Sequence, residues 1–388
     1  MTILAAASLL AWIALALLRG GFWRVRLPPD SPAPPAWPAV VAVIPARDEA
    51  DVIGTALASL LAQDYPGGLH VIVVDDHSGD GTVAIASGTA VRRGGADRVS
   101  VVRAHPLPPG WTGKVWAQAE GVALLAARFP AATHVWLTDA DIVHGPQSLR
   151  RLVARAEAQQ LVLTSLMVKL RCVSPAERVL VPAFVFFFAM LYPFARVNTP
   201  RSRVAAAAGG CMLARVDALA AAGGLAAIRH ALIDDCALAA ALKRQGPIRL
   251  DLAEDSRSLR AYDWNGFWNM IARSAYTQLH YSPAWLAATV AGMLLLYAIP
   301  PGLTLLYGAG LPTGASAGAA WCLMSAIYCP MLRYYGRPLA QAPLLPLVAL
   351  FYLGATLASA WRHLRGRGGQ WKGRMHAAPG GPRQDQPR

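Results

Sequence analysis

Asp139 and Asp141 stand one residue apart where an apolar run ends, in the stretch HVWLTDADIVHG at 134–145. Two carboxylates at this spacing offer hard oxygen ligands, which suit Mg²⁺ or Mn²⁺, and such a cation is commonly shared with substrate phosphates. Aspartate is also a frequent turn residue and helix N-cap, so the motif has a purely structural interpretation as well. The pair alone leaves both interpretations open.

Three other polar clusters follow or precede apolar runs. The sequence PARDE at 45–49 ends one run, and Asp75-Asp76 ends another, where carboxylates could accept hydrogen bonds from a base or a ribose hydroxyl. Asp234-Asp235 precedes the helical pattern CALAAALKRQ. One acid of that last pair could act as a general base on a hydroxyl, whereas N-capping of the helix is the alternative explanation.

Lys114 lies at a predicted helix start in the stretch WTGKVWA at 111–117. A lysine beside the free N–H groups of a helix N-terminus is a suitable site for a diphosphate. The stretch is not a nucleotide-binding P-loop, because the pattern GxxxxGK[ST] is absent. A solvated lysine with no ligand is the other interpretation.

The elements that position these residues are short β-branched runs that recur at intervals of roughly thirty residues from position 39 onward. Helical patterns separate them, and this alternation predicts an α/β fold with a mostly parallel sheet covered on both faces. Ligands of such sheets bind beyond the carboxyl ends of the strands. The clusters at 45–49, 75–76 and 139–141 each follow a strand, so we expect all three at one edge of the sheet.

The composition indicates a membrane protein. Of 388 residues, 55% are hydrophobic and 15% are charged, well below the quarter typical of soluble domains. The net charge of +14 is compatible with a membrane surface or anionic substrates. Arginines gather beside apolar runs, as the positive-inside rule describes, and no basic block is interleaved with aromatic residues, so nucleic acid is the least favoured partner. Five cysteines without a paired framework favour a reduced, cytosol-facing catalytic part.

Apolar segments lie at both ends of the chain. Residues 2–18 read as a retained N-terminal anchor, followed by a Pro-rich linker. The segment 179–198, interrupted by two prolines, reads as interfacial rather than spanning. Three apolar runs occupy the last third, and one of them is expected not to cross, because three crossings would place the following arginines outside. The predicted boundaries are an anchor at 1–27, a linker at 28–38, an α/β domain at 39–280, a membrane region at 281–362 and a basic, partly disordered tail at 363–388.

Taken in order and spacing, PARDE, VDDHSGDGT, TDAD and IDD resemble the motifs of inverting family 2 glycosyltransferases with the GT-A fold. The resemblance covers roughly residues 39–280. The membrane arrangement and WKGR at 371–374 further resemble the ceramide glucosyltransferase-like group. The whole chain, WTGKVWA included, is most similar to the hopene-associated glycosyltransferases of bacteria that make hopanoids.

The resemblance implies a role for each matching residue. The acid pair at 234–235 supplies the catalytic base, Asp235 being the family's position for it. Relatives that act processively carry QxxRW, of which the segment 270–274 keeps only Arg273, a candidate diphosphate ligand; this departure argues against polymer synthesis. The implied nucleotide-sugar ligands are Pro45, Arg47, Glu49, Asp75, Asp76, Lys114, Asp139 and Arg273, and the implied metal ligands are Asp141 and Asp139.

The resulting prediction is a membrane-bound inverting enzyme that moves a sugar from a nucleotide-sugar, a UDP-sugar by resemblance, to a lipid acceptor. The acceptor is a hopanoid or another membrane lipid alcohol, with polyprenyl phosphate as the alternative, and a divalent cation, Mg²⁺ or Mn²⁺, assists. A non-catalytic membrane scaffold with the same fold is a third interpretation. The predicted location is the bacterial inner membrane, multi-pass, with the catalytic domain facing the cytosol.

Overall fold

The structure is a computed structural model that describes residues 1–365, 370–371 and 374–375. An eight-stranded sheet and fourteen α-helices make up most of the described chain. The strands are β1 (Ala39–Ala46), β2 (Leu69–Asp75), β3 (Val99–Arg103), β4 (Ala132–Leu137), β5 (Ile142–Val143), β6 (Leu163–Lys169), β7 (Met212–Arg215) and β8 (Ile248–Ser258), and a separate two-stranded ribbon joins β9 (Gln370–Trp371) to β10 (Arg374–Met375).

Most helices connect or cover the strands of the sheet. They are α1 (Thr2–Leu18), α2 (Ala50–Leu61), α3 (Thr82–Arg92), α4 (Gly113–Arg128), α5 (Ser148–Ala158), α6 (Pro175–Leu191), α7 (Phe194–Val197), α8 (Val216–Ala221), α9 (Asp234–Leu242), α10 (Trp264–Gln278), α11 (Pro283–Met293), α12 (Ile299–Tyr307), α13 (Pro312–Tyr334) and α14 (Leu345–Leu364). A π-helical turn at Leu294–Ala298 joins α11 to α12, and a 3₁₀ segment at Leu339–Leu344 precedes α14.

The strand order is β3-β2-β1-β4-β7-β6-β8-β5. The first four strands in this order are parallel, as the alternation of strands and helices predicts. The sequence did not indicate that β7 pairs antiparallel with both β4 and β6, or that the two-residue β5 pairs antiparallel with β8. The sheet is therefore mixed, with a parallel half that carries the predicted clusters at its carboxyl edge.

Alternate residues of β1 face opposite sides of the sheet, and both sides are buried. Val40, Ala42 and Ile44 pack in one core with residues of α2 and α5, while Val41 and Val43 pack in a second core with residues of α4 and α6. A side chain at Gly121 of α4 would place its Cβ 2.4 Å from Val43, so glycine is what lets α4 approach the sheet. This close covering fixes the helix that carries Lys114 at its N-terminus.

Four helical segments of the described chain are long and apolar enough to cross a membrane, which indicates a membrane protein. They are Pro175–Val197, Pro283–Tyr307, Pro312–Tyr334 and Leu339–Leu364. The N-terminal α1 is shorter, with 17 residues, and packs alongside α13. The hydroxyls of Thr2 and Thr313 lie 2.7 Å apart, and the indole of Trp12 donates to the carbonyl of Leu296. The helices α1 and α13 therefore begin side by side and run in the same direction.

Both of these helices end at the sheet domain. Just after α1, Arg19 donates to the carbonyls of Met190 and Leu191, and at the end of α13 the hydroxyl of Tyr334 donates to the carbonyl of Ala253 in β8. The apolar helices thus extend from one side of the sheet domain.

The segment that follows α13 turns back before it has run the full length of that helix. The indole of Trp321 donates to the carbonyl of Pro343, just before α14, and Trp321 lies thirteen residues, about 20 Å of helix, before Tyr334. At its other end α14 reaches the sheet domain, where Arg362 donates to the side chain of Asn269 in α10. The contacts therefore place the end of α14 on the same side as the end of α13.

The apolar helix α6 contacts the sheet domain at both ends. Ser174, its N-cap, donates to the carbonyl of Tyr262, and Asn198, just beyond α7, exchanges hydrogen bonds with the backbone of Leu250 in β8. By length and composition the segment Pro175–Val197 could cross a bilayer. The interfacial placement of 179–198 stays a prediction, and most of the predicted tail at 363–388 lies outside the described residues.

Candidate active site

A cavity of about 750 Å³ opens at the carboxyl ends of β1 and β4. It extends from the acidic clusters to a mouth between α6, α10 and the end of α14. Eight of the residues selected from the sequence line it: Pro45, Glu49, Lys114, Asp139, Asp141, Asp234, Asp235 and Arg273. The structure thus brings residues nearly 230 positions apart in the chain into one chamber.

Lys114 is the second residue of α4 and joins two of the acidic clusters. Its ammonium lies 2.9 Å from Asp139 and 3.3 Å from Asp234. Burial opposes the charge of this lysine, but the surrounding carboxylates outweigh burial and raise its pKa. A Cβ at Gly209 would lie 3.0 Å from the ammonium, so a glycine there leaves room for it. The solvated-lysine interpretation is wrong.

Asp139 sits in an environment that disfavours its ionised form. Burial and the neighbouring charge of Asp141 raise the pKa of Asp139, against the opposing effect of Lys114. An incoming cation or a hydrogen-bond donor at this carboxylate would therefore relieve an unfavourable charge.

Asp235 occupies the first turn of α9 and accepts two backbone hydrogen bonds. The N–H of Gly209 donates at 3.0 Å and the N–H of Cys236 at 2.7 Å. Burial, followed by the charge of Asp234, raises the pKa of Asp235 to about 6, despite Lys114. Ile233 holds the N-cap position, so neither aspartate caps the helix through its side chain. A fixed carboxylate with a pKa near neutrality is suited to accept a proton.

Arg260 is a cavity residue that the sequence did not indicate. Its guanidinium binds Asp141 at 2.8 Å and Glu49 at 2.8 Å, and the hydroxyl of Ser258 adds a hydrogen bond to Asp141. Arg260 follows the polar second half of β8, which alternates too weakly to be recognised as a strand. No short motif marks this arginine, and only the pairing of β8 beside β6 brings it to the acids.

The cluster of Arg47, Asp75 and Asp76 lies at the neighbouring strand ends but does not line the cavity. Arg47 donates to the carbonyl of Asp76 at 2.6 Å, and Asp75 accepts from the N–H of Ser78. Both aspartates are buried. The carboxyl edge of the sheet thus holds this cluster beside the chamber.

The loop at 78–82 acts mainly as a structural cap on the start of α2. The hydroxyl of Thr82 accepts the N–H of Glu49, and Asp80 accepts the N–H of Ala50. These bonds tie the loop after β2 to the start of α2. They hold Glu49 at the cavity wall.

A buried network fixes the end of β4. The hydroxyl of Thr138 donates to the carbonyl of Gly210 at 2.8 Å and lies 2.9 Å from Nε2 of His144. The other ring nitrogen of His144 contacts Ser256. Burial lowers the pKa of His144 to about 3, so the ring is neutral and can use its two nitrogens as one donor and one acceptor. The turn that carries Asp139 is therefore rigidly supported.

The mouth of the cavity is apolar on one wall and basic on another. Phe184 and Phe188 of α6 and Met270 of α10 form the apolar wall. Arg273 and Arg362 lie at the same mouth, and neither forms an ion pair with a carboxylate within the described part of the chain. This chamber can therefore accept an amphiphilic molecule at its mouth and a charged one at its floor.

The carboxylates fit a hard divalent cation that completes its shell with substrate oxygens. No cluster of three or more histidine, cysteine, aspartate or glutamate side chains in a metal-binding arrangement occurs among the described residues. Asp139 and Asp141 supply oxygen ligands only, and a magnesium site commonly uses one or two carboxylates together with phosphates. Arg260 and Lys114 are the positive charges that hold these two carboxylates in the structure described here.

Comparison with known families identifies the family of this chain. The family described as glycosyltransferase like family 2 matches residues 38–250. The chain belongs to this family. Its fold is of the GT-A type, and its expected activity class is therefore glycosyl transfer.

The proteins that are similar to the chain include an N-acetylglucosaminyltransferase and a mannosyltransferase. An N-acetylglucosaminyltransferase from Mesorhizobium japonicum is 31% identical over 171 residues, which span 41% of this chain and 38% of that relative's length. The mannosyltransferase PcManGT from Pyrobaculum calidifontis, solved in complex with GDP-Man and Mn²⁺, superposes with a TM-score of 0.57 at 20% identity. That match covers 94% of this chain and 99% of the other, and at this identity it supports the fold alone.

Proposed function

We propose that the protein is a membrane-bound inverting glycosyltransferase that moves a sugar from a UDP-sugar to a lipid acceptor. The observation that carries the proposal is the single chamber with an acidic floor and an apolar mouth beside membrane-type helices. A nucleotide-sugar suits the floor, and an amphiphile suits the mouth. The α/β domain, with proposed limits 39–280, would face the cytosol of a bacterial cell from the inner membrane.

The donor would lie along the carboxyl edge of the sheet. Arg47, Asp75 and Asp76 are proposed to hold the base and ribose, since they form the polar cluster next to the chamber. Lys114 at the N-terminus of α4 is proposed to bind the diphosphate, where its charge adds to that of the helix terminus. A divalent cation bound by Asp141 and Asp139 would add positive charge against the leaving diphosphate.

Asp235 is the proposed base, with Asp234 beside it. Its carboxylate takes the proton of the acceptor hydroxyl, whose oxygen then forms a bond to the anomeric carbon as the bond to the nucleoside diphosphate breaks. Attack from the face opposite the leaving group inverts the configuration, and this displacement needs only one carboxylate. Fixation of Asp235 by Gly209 and a pKa of about 6 support this role.

The proposed acceptor class is a neutral lipid alcohol, with a hopanoid as the specific expectation. The aromatic rings of Phe184 and Phe188 line the mouth and offer an apolar wall to a rigid or extended hydrocarbon. Because α6 and α14 both reach this mouth, an acceptor could enter from the bilayer without leaving it. The hopanoid expectation itself rests on the sequence resemblance to hopene-associated glycosyltransferases.

One observation favours a second candidate, a polyprenyl phosphate acceptor. Arg273 and Arg362 flank the mouth without a carboxylate partner in the described chain, whereas Lys114 and Arg260 are engaged with acids. Two arginines suit a phosphate monoester. A phosphate oxygen is already ionised at neutral pH, so this reaction would not require a base.

Sugar transfer by the detergent-purified protein separates these possibilities. A panel of UDP-sugars with Mg²⁺ or Mn²⁺ is offered with a hopanoid alcohol, with a polyprenyl phosphate or with no lipid, and labelled sugar is counted in the organic phase. The Asp235→Asn variant is compared with Asp51→Asn, which changes an exposed aspartate in the first turn of α2.

Transfer to the alcohol that Asp235→Asn abolishes and Asp51→Asn retains would support the main proposal. Transfer to the phosphate lipid that survives Asp235→Asn would support the second candidate. Folded protein that binds UDP yet transfers to neither lipid would reject both acceptors. Folded protein that fails to bind UDP would favour the scaffold interpretation.

A further inference from the structure

A second cavity, of about 830 Å³, lies apart from the active site. It is formed by the end of α1 and the residues that follow it, the end of α6 with α7, one side of α13 and the start of β8. It shares no lining residue with the first cavity. None of the motifs in the sequence analysis contributes to it.

The walls of this second cavity differ in chemistry. One wall is apolar and consists of Leu17 of α1 together with Leu323, Ile327 and Met331, which follow one face of α13. The lining also includes three arginines, Arg24, Arg26 and Arg249. A cavity lined by both hydrocarbon and cationic side chains suits the chemistry of an anionic amphiphile.

Two of the three arginines are available to a ligand. Arg249 is bound to Asp251 at 2.6 Å, so its charge is largely offset. Arg24 and Arg26 are exposed, and neither pairs with a carboxylate in the described part of the chain. Arg24 lies over the ring of Trp23, which leaves its N–H groups free to bind an anion.

The cavity extends along α13 from near its sheet-domain end toward the middle of the helix. Tyr334, at the end of α13, donates to the backbone of β8 and marks the level of the sheet domain. At 1.5 Å per residue, Met331 lies about 5 Å below that level and Leu323 about 17 Å below it. A head group at the level of the arginines would therefore continue into an acyl chain along Ile327 and Leu323.

We propose that this second cavity binds one anionic phospholipid of the surrounding bilayer. The phosphate lies between Arg24 and Arg26, and an acyl chain lies against α13. The lipid would join the segment that follows α1 to α13, because its proposed binding residues belong to both. The proposal depends on the membrane placement of α1 and α13 and not on the identity of the sugar reaction.

The test compares lipid retention and thermal stability in three proteins. The double variant Arg24→Gln/Arg26→Gln removes the charges of both arginines, and Arg92→Gln/Arg93→Gln removes the same charge from exposed positions at the end of α3. Co-purified phospholipid is measured by native mass spectrometry, and melting is followed in nanodiscs of phosphatidylcholine with or without phosphatidylglycerol. Melting in detergent with inorganic phosphate tests whether the anion alone stabilises the protein.

We expect wild type and the Arg92/Arg93 variant to retain phosphatidylglycerol and to melt several degrees higher when it is present. The Arg24/Arg26 variant should retain at least about tenfold less, since each juxtamembrane arginine contributes appreciably to anionic-lipid binding. Ile327→Trp, which fills the apolar wall and leaves the arginines intact, should also reduce retention. Folding of each variant is checked by its melting in phosphatidylcholine alone.

Three results would overturn the proposal. Equal retention by the Arg24/Arg26 variant and wild type would show that the arginines bind no lipid phosphate. Retention unaffected by Ile327→Trp would remove the acyl chain from the cavity. Stabilisation by inorganic phosphate equal to that by phosphatidylglycerol would identify a site for free phosphate instead.

Discussion

Arg260→Gln should strengthen the binding of a divalent cation to the donor-free protein. In the structure the guanidinium of Arg260 contacts Asp141 and Glu49, both at 2.8 Å. A cation that approaches Asp141 must displace this guanidinium or share the carboxylate with it. Glutamine keeps part of the side-chain volume and removes the positive charge, so the competition ends.

The expected size follows from the geometry and exposure of the two ion pairs. Unit charges about 4 Å apart interact by about 4 kcal/mol at an effective dielectric constant of 20, and fully exposed pairs contribute about 1 kcal/mol or less. The Arg260 side chain is 36% exposed, whereas Asp141 and Glu49 are 9% and 11% exposed. Between these limits, removal of the Arg260 guanidinium should make the free energy of cation binding more favourable by about 1–2 kcal/mol. This corresponds to roughly a 5- to 30-fold gain in cation affinity.

Mn²⁺ titration followed by electron paramagnetic resonance measures this affinity without nucleotide. Arg257→Gln is the matched control, since Arg257 is exposed near the end of β8, three residues before Arg260, and lies outside the cavity. The affinity for UDP should change in the opposite direction and fall, because the variant lacks the Arg260 guanidinium that could move from Asp141 to the diphosphate. An unchanged or weaker Mn²⁺ affinity in the donor-free Arg260→Gln protein would refute this reasoning.

The remaining predictions concern catalysis and stability. Asp235→Asn should abolish transfer to an alcohol and leave UDP affinity within a few fold, as calorimetry would show; near-normal turnover would exclude Asp235 as the base. In the wild type, kcat/KM should fall about tenfold per pH unit below pH 6, because the base must be ionised and its pKa is about 6; a flat profile would contradict this. Lys114→Met should weaken UDP binding by roughly 10- to 100-fold through loss of a charged hydrogen bond. Glu177→Gln should destabilise the protein by about 2–4 kcal/mol in detergent melting, because the buried carboxylate accepts from Val173, Ser174 and Tyr262.

The parallel half of the fold could be predicted because each of its strands has a recognisable pattern in its own residues. The runs that end at Ala46, Asp75 and Leu137 are mostly apolar, because most of their residues are buried, and so they stand out between helical patterns. The antiparallel strand β7 carries no such signal. The four-residue β7 pairs between β4 and β6, and its position depends on tertiary contacts that leave no period in the sequence.

The residues of the site also divide into those that the sequence could predict and those that it could not. Residues that end a strand or begin a helix, such as Asp139 and Lys114, could be selected because the carboxyl edge of a parallel sheet gathers them. Arg260 and Arg362 could not, since each reaches the cavity only through the packing of β8 or α14. A single arginine carries no sign of its role in the sequence, and one beside an apolar run is equally well explained as a residue that flanks a membrane span.

The arrangement of α14 connects the charge pattern of the sequence to the acceptor. Three full crossings after the sheet domain would carry Arg362 to the far side of the membrane, yet its side chain contacts Asn269 and lines the active-site cavity. The contact between Trp321 and Pro343 explains the difference, because the chain reverses beside the middle of α13. A segment that enters the apolar layer and returns would obey the positive-inside rule. It would also bring a basic residue from the bilayer side to the mouth, where a lipid head group has to meet the sugar donor.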